Sequence, residues 1–410
     1  MKKPEILILV LALLATAAKC YCALTTIGSA DVFYFHEFGR VIADQGVVKI
    51  YENPIFNHPP LLGTYLGYAY EWAGSKDLRF AFYIRLPGIL ADLAVVLVML
   101  WVKRKTGQPS WWALGLLAVS PVSFMVSGFH GNFDPLIALG VTLAVASCLA
   151  GQPMLCGVFL GLTCQVKIIP VLMGPAFFFF WLHRGKARPF AIGAIGFVIV
   201  GWLVPLCTVP NLFLHRVIAY SSIWGWWGFP YLIGMMGGPK LHASLADAPT
   251  PAESALSLIF KVLIVAVVMA LAWRRRASTP MGIFSTLALS WAVFLVFAPG
   301  FGVQYLVWIA PFLLVHSERW FAIYTAVASM ALFAFYTAIS NPAVSPLDIG
   351  HFPAALFIFS AAILKDLPWN QGFYVSPTLD QWRPWLLLPW GTLLAFLVAS
   401  IREKGMTNDE

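Results

Sequence analysis

A helix needs about 20 mostly apolar residues to cross a bilayer. Runs approaching that length, broken by short polar stretches, recur along the chain. They fall at residues 6–25, 84–102, 111–126, 135–149, 154–166, 171–182, 191–207, 255–273, 281–297 and 320–336, and a further run opens at 304–308. Near the C-terminus, residues 354–364 and 385–401 form either two spans or one re-entrant piece and one span, because Lys365 and Arg383 compete with Arg402 and Lys404 for the inner side. The pattern predicts an all-α polytopic transmembrane bundle, with room for about 11–13 spans at this length per span. Long unbroken runs exclude an outer-membrane β-barrel, whose strands alternate over roughly ten residues. The run at 171–182 is short, so it leaves the membrane locally thin or buries its ends under a lid.

Two stretches interrupt the apolar pattern. In the first, residues 27–83, Ser29 is placed to cap a helix over 31–44 that stops at Gly46. Val32, Phe35, Phe38, Val41 and Ile42 recur there at helical spacing, with Asp31, His36, Glu37 and Arg40 between them. Such a helix lies in the interface and does not cross. After a turn at residues 57–60, the run 61–72 is too short to span and is expected to be a second interfacial helix. The second stretch, 209–253, carries an aromatic string at 220–229 whose Trp and Tyr density suits membrane anchoring at the interface. No internal repeat or low-complexity tract is visible, and residues 1–410 are expected to form a single membrane domain.

Composition agrees with the pattern. The 410 residues are 60% hydrophobic and 11% charged, against roughly 25% charged in a soluble domain. A net charge of +8 would suit nucleic acid if it were gathered on one face. Here the cations sit in short clusters between spans: Lys2-Lys3, Lys103-Arg104-Lys105, Arg184/Lys186/Arg188 and Arg274-Arg275-Arg276. That distribution is the positive-inside signature, places these loops on the cytoplasmic side and removes nucleic acid as a partner. The acids Asp31, Glu37, Asp44, Glu52, Glu71, Asp77, Asp134, Asp247 and Glu253 fall in the alternate segments, which then face outside. Residues 1–23 have the layout of a signal peptide and are expected to remain as the uncleaved first span. All six cysteines lie in or beside apolar runs, so no structural disulfide is expected.

With this orientation, Asp31, His58, Arg79, Arg85, residues 130–134 of an outer turn expected at 127–134, Lys167 and Gln304-Tyr305 converge on one outer face. Carboxylate, imidazole, amide and cationic groups gathered there would suit a phosphorylated lipid; ordinary loop polarity would look the same. Asp92 sits inside a span, where a carboxylate costs about 2.5–3.5 kcal/mol on insertion scales. It should face the bundle interior and hydrogen-bond to a neighbouring helix. A transporter or lipid flippase with a polar outer cavity is the alternative, and predicts midplane charge pairs and half-repeats; Asp92 and Lys261 are the only hints of it. A structural assembly subunit is a third reading.

Four strings between Asp31 and Pro311 weigh toward catalysis. They are Asp31 with Ile50-Tyr51-Glu52 and Asn57-His58-Pro59-Pro60-Leu61; Arg85-Leu86-Pro87 with Ala91-Asp92-Leu93; His130-Gly131-Asn132-Phe133-Asp134 with Gly157-Val158-Phe159-Leu160-Gly161-Leu162 and Val166-Lys167; and Ala298-Pro299 with Gln304-Tyr305-Leu306-Val307-Trp308. Together they resemble the GT-C superfamily of integral-membrane glycosyltransferases. The nearest groups are the dolichyl-phosphate-glucose-dependent glucosyltransferases and bacterial polyprenol-phosphate-mannose-dependent mannosyltransferases. The string departs from relatives at Asn132, where Gln or His is common, and no paired-acid DxD element lies near Asp31. The resemblance implies an inverting hexosyltransferase in a bacterial inner membrane, its site on the periplasmic face. It would take mannose or glucose from a polyprenyl-phosphate sugar to a glycan or glycolipid acceptor, with no metal and no cofactor. It further implies Asp31 as general base, with Glu37 as fallback; Lys167, Arg85, His58 and His130 on the donor phosphate; and Asn132, Asp134, Gln304 and Tyr305 on substrate. The aromatics at 220–229 could then stack on a sugar.

Overall fold

A computed structural model describes residues 2–74, 76–220, 224–239, 249–339 and 379–406. The segment expected at 354–364, together with Lys365 and Asp247, lies outside the described residues, as do the side chains of Arg383 and Lys404. The described residues form helices and no strand. Eight helices are long and apolar enough to cross a membrane, and four shorter apolar ones, Asp134–Leu149, Pro153–Thr163, Ile169–His183 and Val303–His316, complete the bundle. The chain is an integral, multi-pass membrane protein. The four short helices correspond to the expected spans at 135–149, 154–166, 171–182 and the one opening at 304–308. Two of them begin as tight 3-10 turns, Ile169–Met173 and Val303–Val307.

The first helix, α1 (Lys3–Thr25), has Pro4 in its first turn, where a missing N–H costs nothing. At 23 residues it is about 34 Å long. Helix α2 (Ala30–Gln45) begins at Ser29, whose hydroxyl accepts from the Asp31 amide, and ends at Gly46. That glycine has φ 87°, a left-handed conformation that closes the helix. Helix α3 is Pro60–Ala73. Helix α4 (Asp77–Thr106) runs 30 residues and ends on Lys103, Arg104 and Lys105, which complement the negative end of the helix dipole.

Arg104 pairs with Glu5 at 3.2 Å, while Arg85, five turns back along α4, reaches the carbonyls of Thr26 and Ile27. Helices α1 and α4 therefore run antiparallel. The basic end of α4 lies beside the start of α1, and the loop carrying Asp31 lies at the opposite end.

That loop has a core of its own. Val32, Phe35, Phe38 and Ile42 of α2 pack with Leu62, Leu66 and Ala69 of α3 and with Tyr51 and Phe56 between them. The two helices touch closely at Gly39, where an added Cβ would lie 2.7 Å from the Leu66 carbonyl oxygen. Trp202, Phe213 and Val217 close this second core from the far side, so the first polar stretch folds onto the bundle and is anchored there.

The largest departure from expectation is at residues 127–130, which were expected to belong to an outer turn. They continue the third span as a π-helical segment, Phe124–His130, after a break at residues 119–120. Only after His130 does the chain turn, at Gly131 with φ 82°, into α5 (Asp134–Leu149). The aromatic string also behaves differently from a membrane anchor. Trp227 is buried, stacked on Phe301 with ring centroids 3.8 Å apart, and its indole donates to the Leu295 carbonyl.

Candidate active site

Between the α2–α3 unit and the bundle lies a cavity of about 460 Å³, within the range of small-molecule sites. Asp31, His58, His130, Asn132, Lys167, Gln304 and Tyr305 all line it, so seven side chains expected at one face are brought together from five separate parts of the chain. Asp31 is the one carboxylate lining it among the described residues.

Asp31 sits in the first turn of α2 because Ser29 caps that helix. Ser29 also donates its hydroxyl and its amide to the His130 carbonyl, at 2.6 Å and 3.3 Å. The cap thus joins the start of α2 to the end of the π segment and sets Asp31 beside His130. His130 Nε2 lies 3.1 Å from Asp31 Oδ2, and the Asn132 amide donates to the same oxygen at 2.7 Å. Among the described residues no hydrogen bond reaches Oδ1. The Asp31 side chain keeps 33% of its surface exposed. Burial pushes its pKa up, but the charge and hydrogen bond of His130, the Asn132 amide and the charge of Lys167 outweigh it. The net effect holds the carboxyl below its ordinary value, ionised and with one oxygen open to the cavity.

His58 is set differently. Its Nδ1 is 3.2 Å from the Val166 carbonyl, and its ring packs edge-on against Phe35 and Phe56. Burial, reinforced by the charge of Lys167, pushes its pKa down to about 3. A carbonyl can only accept, so the neutral ring carries its proton on Nδ1 and leaves Nε2 as an acceptor. In that state His58 brings no positive charge to the cavity.

Lys167 is buried against Asp134, its ammonium 3.1 Å and 3.2 Å from the two carboxylate oxygens. It lies 4.7 Å from the centroid of the Tyr305 ring, a cation–π contact. Asp134 is buried behind the cavity as the counter-ion of Lys167 and does not line it. Arg85 is also absent from the lining. It is fully buried, with its guanidinium on the carbonyls of Thr26, Ile27 and Gly128 and on the Thr26 hydroxyl. Those bonds tie the end of α1 to the π segment, and they explain why a cation is held there. Arg79 is exposed at the rim. Glu37 is on the solvated face, paired with Arg40 at 2.6 Å, and Asp44 pairs with the same guanidinium at 3.3 Å.

Sequence reasoning missed the second set of cations. His215 and Arg216, from the π-helical turn Leu214–Ile218, also line the cavity. Arg216 spends its Nε on the Tyr51 carbonyl at 3.4 Å. Among the described residues its two terminal nitrogens make no hydrogen bond. Tyr34, Asn57, Tyr220 and Trp226 also line the cavity, so the string at 220–229 does reach the site. A basic pair in an otherwise apolar, aromatic stretch was the available signal. Among the described residues no three His, Cys, Asp or Glu side chains are grouped as metal ligands.

The sequence model of glycosyltransferase family 87 matches residues 78–299, more than half of the chain. The chain belongs to glycosyltransferase family 87. No curated protein matches it. The family 87 match covers His130, Asn132, Asp134, Lys167, His215 and Arg216, and leaves Asp31, His58, Gln304 and Tyr305 outside. A family 87 membrane enzyme transfers a sugar from a donor to an acceptor, and the cavity holds groups suited to both halves of that reaction.

Proposed function

We propose that this protein is an inverting, GT-C-type hexosyltransferase. It takes mannose or glucose from a polyprenyl-phosphate sugar and delivers it to a lipid-linked or glycan acceptor at the outer face of a bacterial inner membrane. The observation that carries the reading is the state of Asp31: ionised, held through Oδ2 by His130 and Asn132, with Oδ1 open to the cavity.

The acceptor hydroxyl attacks the anomeric carbon while Asp31 Oδ1 takes its proton. The bond from that carbon to the phosphate oxygen breaks, and polyprenyl monophosphate leaves with the electron pair. General-base catalysis of this kind contributes about 10²–10⁴-fold. His130 and Asn132 hold the carboxylate in place, so its geometry is set before the acceptor arrives. With Asp31 taking the acceptor's proton, and no second acid in the described lining to serve as a nucleophile, the transfer is a single displacement. Single displacement inverts the anomeric centre.

The charge developing on the leaving phosphate needs preorganised donors. Lys167 contributes at reduced strength, because Asp134 already neutralises it. Arg216, with two terminal nitrogens unengaged, and His215 beside it take the larger share in this reading. His58, with an accepting Nε2, is suited to a sugar hydroxyl and would repel a phosphate oxygen. Asn57, Gln304 and the Tyr34 and Tyr305 rings supply the remaining polar and stacking surface.

Purified protein in liposomes should transfer labelled hexose from a polyprenyl-phosphate hexose to endogenous lipid or glycan extract. Asp31→Asn should reduce turnover at least 10²-fold while leaving expression and thermal unfolding unchanged. Full turnover by that variant would remove Asp31 as the base.

A further inference from the structure

A second charged cluster inside the bundle lies outside the cavity. Lys19 of α1 is 2.7 Å from Asp92 Oδ2 of α4, and both face the interior. Ser123 and Ser127 donate to the same oxygen at 2.6 Å and 2.5 Å, and Lys19 also donates to the Ser123 hydroxyl at 2.6 Å. The two serines are one turn apart: Ser123 immediately precedes the π segment that ends in His130, and Ser127 lies within it. The backbone of Gly128 lies along the Lys19 stem, where an added Cβ would come 3.2 Å from Lys19 Cγ. Arg85, two turns from Asp92 on α4, donates to the Gly128 carbonyl at 3.4 Å. Charged groups from α1 and α4 therefore grip this stretch at Ser123, just before the π segment, and at 127 and 128 within it.

A π segment is uncommon and tends to sit at functional sites. Here it shifts the register of the residues that follow Ser127 relative to a regular helix. Its last residue is His130, whose Nε2 meets Asp31. We infer that Lys19 and Asp92, acting through Ser123 and Ser127, are positioning residues that hold the π segment in register so that His130 and Asp31 stay paired. This rests on the reading of Asp31 as base. Any buried ion pair needs hydrogen bonds to its remaining lone pairs; here both come from serines on the stretch that leads into His130.

Removing one partner would leave an uncompensated buried charge, which is costly in itself, so the decisive variant is the neutral pair Lys19→Met with Asp92→Asn. Ser127→Ala, which removes one hydroxyl and no charge, guards against a failure to fold. Two readouts are taken on the full-length protein in nanodiscs. One is the ¹⁵N spectrum of labelled histidine, with the His130 signals assigned by a His130→Gln variant. The other is the pH profile of kcat with a polyprenyl-phosphate hexose.

The expected result is a change in the His130 tautomer or titration in both variants. It is accompanied by about a 10²-fold fall in kcat for the neutral pair, the scale of a 1 Å misplacement, with donor KM within about twofold. The acid limb of kcat should move to higher pH. Unchanged His130 signals in Ser127→Ala and in a folded neutral pair overturn the inference. If wild-type protein transfers no hexose from such donors, the reading of the function fails, and the His130 spectrum still decides the positioning claim.

Discussion

At the scale of single residues, chemistry here is set by which partner each ionisable group keeps. Asp31 shares one oxygen between His130 and Asn132, and its depressed pKa dictates a direction for pH dependence. A base works ionised, so kcat/KM should rise with pH through the Asp31 pKa and be flat above it. Because that pKa lies below the ordinary aspartate value of about 3.9, the acid limb should fall below pH 4 in the wild type. His58, pushed down to about 3, adds no limb of its own near neutrality. His130→Ala removes the partner that lowers the Asp31 pKa most, so the acid limb should move upward and turnover should fall. A profile unmoved in that variant would mean that another group supplies the base. Arg85 and Lys167 show the converse: both were placed near this face by sequence, yet carbonyls hold one and Asp134 neutralises the other. Sequence gives the cation and its approximate depth; only packing shows whether its donors are already used.

At the scale of elements, α2 was the most legible part of the chain. Ser29, Gly46 and the spacing of Val32, Phe35, Phe38 and Ile42 are local signals, and the helix begins and ends within a residue or two of where they put it. The π segment Phe124–His130 was not legible. Its register depends on Asp92 and Lys19, which come from distant helices, and no local periodicity marks it. The aromatic string misled for a related reason, since an interfacial belt and a stacked interior, as at Trp227 and Phe301, have the same composition. Ser29 links these elements, because it caps α2 and binds the His130 carbonyl. Ser29→Ala should therefore cost about 0.5–2 kcal/mol as a lost cap, measured by thermal unfolding in detergent. It should also lower turnover more than that loss of folded protein explains. Equal falls in the two measurements would reduce Ser29 to a helix cap alone.

At the scale of the whole molecule, the bundle has two distinct ends. One carries the pairs Arg104–Glu5 and Ser110–Glu318 at helix termini, and the other carries the cavity. A charge pair within the spans, such as Lys19–Asp92, is what a transporter would show. Its partners here are Ser123 and Ser127, on the stretch that leads into His130, and the cavity lies toward one end of α1 and α4, which suits the proposed catalysis at that end better than passage through the membrane. The proposed orientation, with the basic end in the cytoplasm as the positive-inside rule expects, can be measured without any substrate. In a cysteine-free background, single cysteines at Lys186 and Gln108 should react with a membrane-impermeant maleimide only after cells are opened. Single cysteines at Glu52 and Lys49, in the turn between α2 and α3, should react in intact spheroplasts. Both members of each pair lie outside the apolar helices and are exposed or partly exposed, so labelling reads sidedness and not burial. The reverse response would place the cavity at the cytoplasmic surface. The donor would then be presented from inside, and the positive-inside assignment, with the periplasmic reaction built on it, would fall together.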